Sequence, residues 1–203
     1  MRAGARLLGW VVALLLAAYS LRAHERPGAG DTDSLTRRLC GPFAELAARG
    51  QWVRVHGAML AGRPDLVFQR AEVAFELDRG ATEGWLFLAR HLFYDRASQR
   101  SEPEPRRRAA WMSAALDVAE RGEQVAREPG RLALWSGLAL VRMASEEELI
   151  WPPTAAGPAG PAERRRILEQ AARDFERAAD AGEADAAGLG SEARRLAELM
   201  RRP

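Results

Sequence analysis

Residues 85–94 read WLFLARHLFY, and this stretch decides the fold class. Its apolar side chains fall on all sides of a helix, so we predict a central helix that is covered on both sides. From residue 34 onward, other segments of helix length follow one another, separated by breakers such as Gly62-Arg63-Pro64 and Glu128-Pro129-Gly130. These segments contain no sustained apolar and polar alternation and no β-branched run, so the sequence predicts an all-α fold.

Two later segments are apolar on one side only, which is typical of surface helices with one buried face. The first stripe comprises Leu168, Ala171, Phe175 and Ala178, and the second comprises Leu189, Ala193, Leu196, Ala197 and Met200. Asp65 follows Pro64 and Thr82 follows Gly80, and both are residue types that cap helix N-termini. We therefore predict that Asp65 and Thr82 are N-caps.

A repeated pattern runs through the helical region. Trp52, Trp85 and Trp135 are each predicted to open a helix, the first two 33 residues apart. The second and third tryptophans share the pattern Trp-x2-Leu-Ala, formed by Trp85, Leu88 and Ala89 and again by Trp135, Leu138 and Ala139. Segments downstream carry Ala-x3-Phe, which is formed by Ala71 and Phe75 and again by Ala171, Phe175 and Ala178. Internal repetition of this length is a signature of helical solenoids.

These pieces resemble tetratricopeptide repeats, and residues 175–190 are similar to the related Sel-like repeat. The resemblance implies antiparallel helical hairpins stacked as a short solenoid, in which a small residue lets the second helix approach and an aromatic fills the groove. It implies that Trp85, Leu88, Leu92, Trp135 and Leu138 are mainly core. It also implies that a partner binds first-helix residues on the concave face, namely Arg54, Arg90 and Arg142. A plain alanine-rich helical bundle is the alternative.

The N-terminal segment has the form of a secretory leader. Arg2 and Arg6 precede an uncharged run over residues 7–21, LLGWVVALLLAAYSL. We predict a signal peptide or membrane anchor over residues 1–23 and a linker over 24–33, with a buried N-terminal helix as the alternative. The helical domain over 34–203, interrupted by loops at about 98–108 and 152–162, would lie on the periplasmic or extracytoplasmic side of the membrane, or be secreted after cleavage.

Charge and cysteine content limit the function classes. The net charge of the chain is +2, but Arg2, Arg6 and Arg22 lie in the leader; without them 27 arginines face 28 acidic residues, a net charge of −1. The domain therefore lacks the positive field of a general nucleic-acid binder, and we predict no nucleic-acid partner. Cys40 is the one cysteine, which excludes an intramolecular disulfide and suits a packed or half-packed small side chain.

The sequence contains few elements of catalytic chemistry. It has no lysine, which excludes a Walker lysine and Schiff-base chemistry, and no paired cysteines or metal-ligand motif. His91 and Asp95 could place two ligands on one helix face, but a packed, hydrogen-bonded histidine is the favoured interpretation. The arginine triplets 106–108 and 164–166 start helices, where cations are unfavourable, so they either contact an acidic partner or lipid headgroup or are simply solvated.

These observations predict a non-enzymatic scaffold, without a cofactor or metal, that is tethered to or exported across the membrane. It would bind a protein or peptide partner in the cell envelope. Two alternatives stay open. One is an all-α envelope enzyme with a glutamate acid/base, which predicts a buried acidic residue beside a deep pocket. The other is a self-associating structural protein.

Overall fold

The structure is a computed structural model that describes residues 34–201, and within this range it is all-α and contains no strand. The predicted leader and linker lie outside the described residues. Along the chain the helices are α1 (Leu35–Cys40), α2 (Ala44–Leu60), α3 (Pro64–Leu77), α4 (Thr82–Arg90), α5 (Pro105–Glu123), α6 (Pro129–Ala144), α7 (Pro161–Asp180) and α8 (Ala186–Leu199). The chain divides into two compact units between Arg79 and Gly80, and each is described by itself. The prediction of an all-α fold is confirmed for the described residues.

The first unit consists of α1, α2 and α3, and α2 packs against α3. The turn between them ends α2 with Gly62 in the left-handed region, at φ 64°, and the Arg63 N–H donates to the Ala58 carbonyl at 2.9 Å. Across the pair, Trp52 and Phe75 meet edge to face with ring centroids 5.2 Å apart. Cys40 is half-buried against the cluster of Ala44, Ala48 and Leu77, as predicted.

The second unit packs α4 on α5, α6 on α7 and α7 on α8. Helix α4 continues into a π-helical turn at His91–Arg96, so the single helix predicted over residues 85–94 changes its winding part-way. With the wider turn, Leu92 and Phe93 are both buried while Tyr94 is half exposed. Phe93 then meets Trp135 of α6 edge to face, with centroids 5.8 Å apart. Packed helix pairs of this kind are compatible with a helical-repeat fold.

Phe175 holds three helices of the second unit together. It lies on α7 and is 1% exposed. A Cβ added to Gly137 of α6 would lie 2.7 Å from the Phe175 ring, and one added to Gly190 of α8 would lie 3.3 Å from the Phe175 Cβ. Both glycines therefore let neighbouring helices approach the aromatic side chain closely: a Cβ at Gly137 would overlap the ring, and one at Gly190 would make an unusually tight contact. The predicted stripe on α7 is buried along its length, at Leu168, Ala171, Phe175 and Ala178.

Several local predictions are wrong. Trp52 and Trp135 lie inside α2 and α6 rather than at their starts, because these helices already begin at Ala44 and Pro129. Asp65 and Thr82 do not cap: each lies inside its helix, and the Thr82 hydroxyl accepts the Glu128 N–H at 3.1 Å instead. Leu138 is 44% exposed, since it shares with Arg142 the side of α6 that faces away from its neighbours.

Two arginines of the triplets are used by the chain itself. Arg108 is buried and donates to the Pro103 carbonyl at 3.0 Å. Arg164 donates to three carbonyls, those of Ala144 at 2.7 Å, Glu147 at 2.8 Å and Ala159 at 3.1 Å. The Ala144 carbonyl ends α6, so Arg164 caps that helix and also holds both ends of the irregular connector before α7. Neither arginine is simply solvated or directed to an external partner.

Within residues 34–201, no helix combines the length and the apolar character needed to cross a bilayer. The predicted anchor at residues 7–21 lies outside this range and stays a prediction, as do the predicted domain boundaries.

Replacing Gly137 with alanine tests the Phe175 contact. We expect Gly137→Ala to lower the free energy of unfolding by about 1–3 kcal/mol, because the new methyl group overlaps a buried ring that cannot move away. Gly188→Ala on α8 is the matched control: nothing lies within 4 Å of its added Cβ, so the helix should gain up to about 1 kcal/mol. Chemical denaturation measures both; equal effects of the two changes would contradict the role given to Phe175.

Removing Arg164 tests the anchoring of the connector. We expect Arg164→Ala to cost about 2–4 kcal/mol, because three hydrogen bonds from a charged donor are lost and the α6 carbonyl is left without its cap. Arg166→Ala should change stability by less than about 0.5 kcal/mol, since that side chain is 71% exposed and pairs with Glu163 alone. The measurement is thermal or chemical unfolding of both variants beside the wild type.

Candidate functional site

A groove of about 970 Å³ opens in the second unit. Helices α5 and α7 form its walls, α6 contributes to its lining, and Trp151 and Pro152 of the connector also line it. Apolar side chains in the lining are Leu116, Leu140, Ile167 and Trp151, and charged ones are Glu120, Glu123, Glu163, Arg166, Arg173, Asp174 and Arg177. The lining thus has more charged than apolar side chains, with fewer apolar ones than a typical small-molecule pocket has.

Arg177 is the electrostatic centre of the groove. Its Nη2 lies 3.1 Å from Oε2 of Glu123 on α5, and its Nη1 lies 3.0 Å from Oδ1 of Asp174 on its own helix. The two carboxylates are largely buried, with side chains 15% and 5% exposed, while the arginine is 48% exposed. The guanidinium fork therefore connects two helices and leaves part of its charge facing the groove.

The side-chain amide of Gln170 extends the ion-pair network along α7 by hydrogen bonds. Gln170 donates from Nε2 to Oδ1 of Asp174 at 2.6 Å, and its Oε1 accepts from Nη2 of Arg173, also at 2.6 Å. This chain leaves Arg173 bonded to a neutral group, so its charge is not neutralised by that contact. Arg173 is exposed and lines the groove, which makes it the cation there best placed to meet a ligand.

The pKa values of the two buried carboxyl groups, Glu123 and Asp174, are raised. Burial raises the pKa of Glu123 above its ordinary value, and Arg177 offsets part of that rise. Burial likewise raises the pKa of Asp174, opposed by Arg177 and by the Gln170 hydrogen bond. Both groups are therefore easier to protonate than a solvent-exposed carboxyl.

The predicted partner-binding arginines lie elsewhere. Arg54 belongs to the first unit, and Arg90 and Arg142 belong to the second; all three are exposed, and none lines the groove. Their role in binding stays a prediction. The predicted repeat residues Leu88, Ala89 and Ala139 are buried, so they contribute to packing.

The predicted His91 and Asp95 pair is formed, with His91 Nδ1 2.8 Å from Asp95 Oδ2. The histidine is half-buried and hydrogen-bonded, in line with the favoured interpretation of this residue. Within residues 34–201, no three histidine, cysteine or acidic side chains are grouped as a metal site requires.

Sequence reasoning missed Glu123, Asp174 and Arg177 as a site. The signal available was local: Gln170, Asp174 and Arg177 are spaced four and three residues apart, so they share one side of a helix. Asp174 also directly precedes Phe175 of the apolar stripe, which places a carboxylate at the border of the core. Glu123 lies about 50 residues away, and only the packing of α5 near α7 brings it to this site.

Comparison with protein-family models, curated proteins and solved structures finds no match to this chain. Its family is therefore not defined by similarity.

Replacing Asp174 with asparagine tests the buried charge. A raised pKa in the folded state means that folding favours the protonated carboxyl, so this group contributes more stability as pH falls from 7 through its raised pKa. The wild type should therefore gain stability relative to Asp174→Asn on acidification. Urea denaturation of both proteins between pH 7 and pH 4 measures the difference in their free energies of unfolding. A wild type that becomes less stable relative to the variant as the pH falls would contradict the raised pKa.

Proposed function

We propose that this protein is a non-enzymatic scaffold, built as a tetratricopeptide-like stack of helical hairpins, that binds a segment of a partner protein in the groove of its second unit. The observation that carries the proposal is the open groove, in which charge and apolar surface lie next to each other while its buried carboxylates are already paired. A partner in the cell envelope follows from the leader-like run at residues 7–21.

The composition of the lining fits a peptide segment better than a small metabolite. Leu116 and Trp151, which are both half-buried, offer apolar contact to side chains of an extended chain. Arg173 and Glu120, which are both exposed, offer opposite charges that fix its direction and register. A segment with one acidic and one basic residue flanking apolar side chains would complement this surface.

The ion pairs favour binding over catalysis. Glu123 and Asp174 both contact Arg177, so these carboxylates and the guanidinium are already paired with one another rather than directed at a ligand. Arg177 therefore stabilises the walls of the groove and leaves the ligand to contact its more exposed residues.

An acid/base enzyme is the second candidate, because burial raises the pKa of Glu123 and Asp174 beside an open groove. The two functions separate experimentally. In an enzyme, Glu123→Gln would abolish turnover and leave partner capture intact. In a scaffold, charge changes at the mouth of the groove weaken capture.

Affinity capture from native membranes tests the scaffold. We expect the tagged full-length chain, solubilised in mild detergent, to retain a stoichiometric partner that mass spectrometry identifies. The paired change Arg173→Glu with Glu120→Arg should reduce that partner at least tenfold, since both charges at the mouth of the groove are inverted while the buried carboxylates and Arg177 are left in place.

Arg142→Glu is the matched control, because it inverts an exposed arginine of the same unit outside the groove. It should leave capture unchanged. Loss of the partner in Arg142→Glu and Arg90→Glu, with retention in the groove variant, would move the binding site to the arginines predicted from the sequence. A wild type that retains no partner would contradict the scaffold proposal altogether.

A further inference from the structure

Helix α2 in the first unit has apolar residues on two opposite sides. Among the described residues, only one of these sides packs against another helix. Its buried residues, Ala44, Ala48, Val55 and Ala58, lie on the side that packs on α3. The opposite side, together with Phe43 just before the helix, carries six exposed residues, which we name the α2 seam: Phe43, Leu46, Gly50, Val53, Gly57 and Leu60. The large ones among them are 52–78% exposed. A contiguous strip of exposed apolar residues is typical of a contact site.

The spacing and the glycines of the α2 seam favour another helix as the partner. Successive residues of the seam are three, four, three, four and three positions apart, which is the alternation by which one helix packs along another. Gly50 and Gly57 lie within the helix, where glycine lowers helix stability, and a Cβ added to either would meet nothing within 4 Å. A lipid surface can also bind an apolar stripe of this period, but it gains nothing from the glycines, whereas an approaching helix backbone uses them.

The order of large and small residues in the seam suits a second copy of the same chain. If two seams run antiparallel about a two-fold axis between residues 51 and 52, Leu46 meets Gly57 of the other copy and Gly50 meets its Val53. Phe43 and Leu60 then close both ends. Each central layer combines one large and one small side chain, as an isologous interface requires. We propose that this protein self-associates through the α2 seam as an antiparallel helix pair.

The size of the seam sets the expected strength. From Leu46 to Leu60 the helix rises about 21 Å, which is a short contact compared with the interfaces of stable dimers. Arg49 and Arg54 flank the seam in both copies and repel one another. Association in solution is therefore weak, with a dissociation constant of about 10 μM to 1 mM. Confinement of the chains to a membrane surface would raise their effective concentration.

Sedimentation equilibrium of the full-length chain in density-matched detergent, over about 5 μM to 1 mM, tests the proposal. The protein mass should rise with concentration towards that of two chains. Leu46→Glu should weaken association at least tenfold, because it places a charge in the seam. Leu199→Glu, at a half-exposed leucine of the second unit, is the matched control and should behave as the wild type.

Gly57→Leu distinguishes close packing of two helices from nonspecific hydrophobic association. The change enlarges the apolar surface, and the free space around Gly57 lets the helix keep its fold, which circular dichroism checks. We expect it to weaken association at least tenfold, because the leucine stands where Leu46 of the second copy must fit. A wild type that stays monomeric throughout, or a Gly57→Leu variant that associates as well as the wild type, would overturn the proposal. The groove of the second unit takes no part in this test.

Discussion

The contact of Phe175 with two glycines is the constraint on which the second unit depends. The ring lies against Gly137 of α6, and the start of the side chain lies against Gly190 of α8, so three helices meet at one residue. Its neighbour in sequence, Asp174, is thereby fixed at the border between core and groove. Arg177, one turn further along α7, is then in reach of Glu123 on α5. The position of the charged network follows from the position of an aromatic side chain.

The two units use glycine in opposite ways. In the second unit, Gly122 and Gly137 make room for buried aromatic residues, Trp85 and Phe175, so the small residue serves internal packing. In the first unit, Gly50 and Gly57 face open space and weaken their own helix without any gain inside the fold. Glycines in helices of similar length thus make a core contact in one unit and leave open surface in the other.

The sequence predicted what depends on local pattern and missed what depends on tertiary packing. The all-α class and the buried stripe of α7 follow from helical periodicity, which short-range spacing records directly. The exposure of Leu138 could not be read from the repeat pattern, because it depends on which side of α6 its neighbours cover. The pairing of Glu123 with Arg177 joins residues 54 positions apart. The capping role of Arg164 could not be predicted either. Two of the three carbonyls that it binds belong to an irregular connector, which has no sequence pattern to mark them.

Arginine is the only basic side chain here apart from three histidines, and the structure divides the arginines into two groups. Arg164 serves three carbonyls with three separate nitrogens, and Arg177 spans two carboxylates with two, so both use the width of the planar fork rather than a point charge. Exposed arginines such as Arg106 have no such geometry to satisfy. The fold therefore defines where primary amines can be introduced for conjugation or surface immobilisation, and where the planar fork has to be kept.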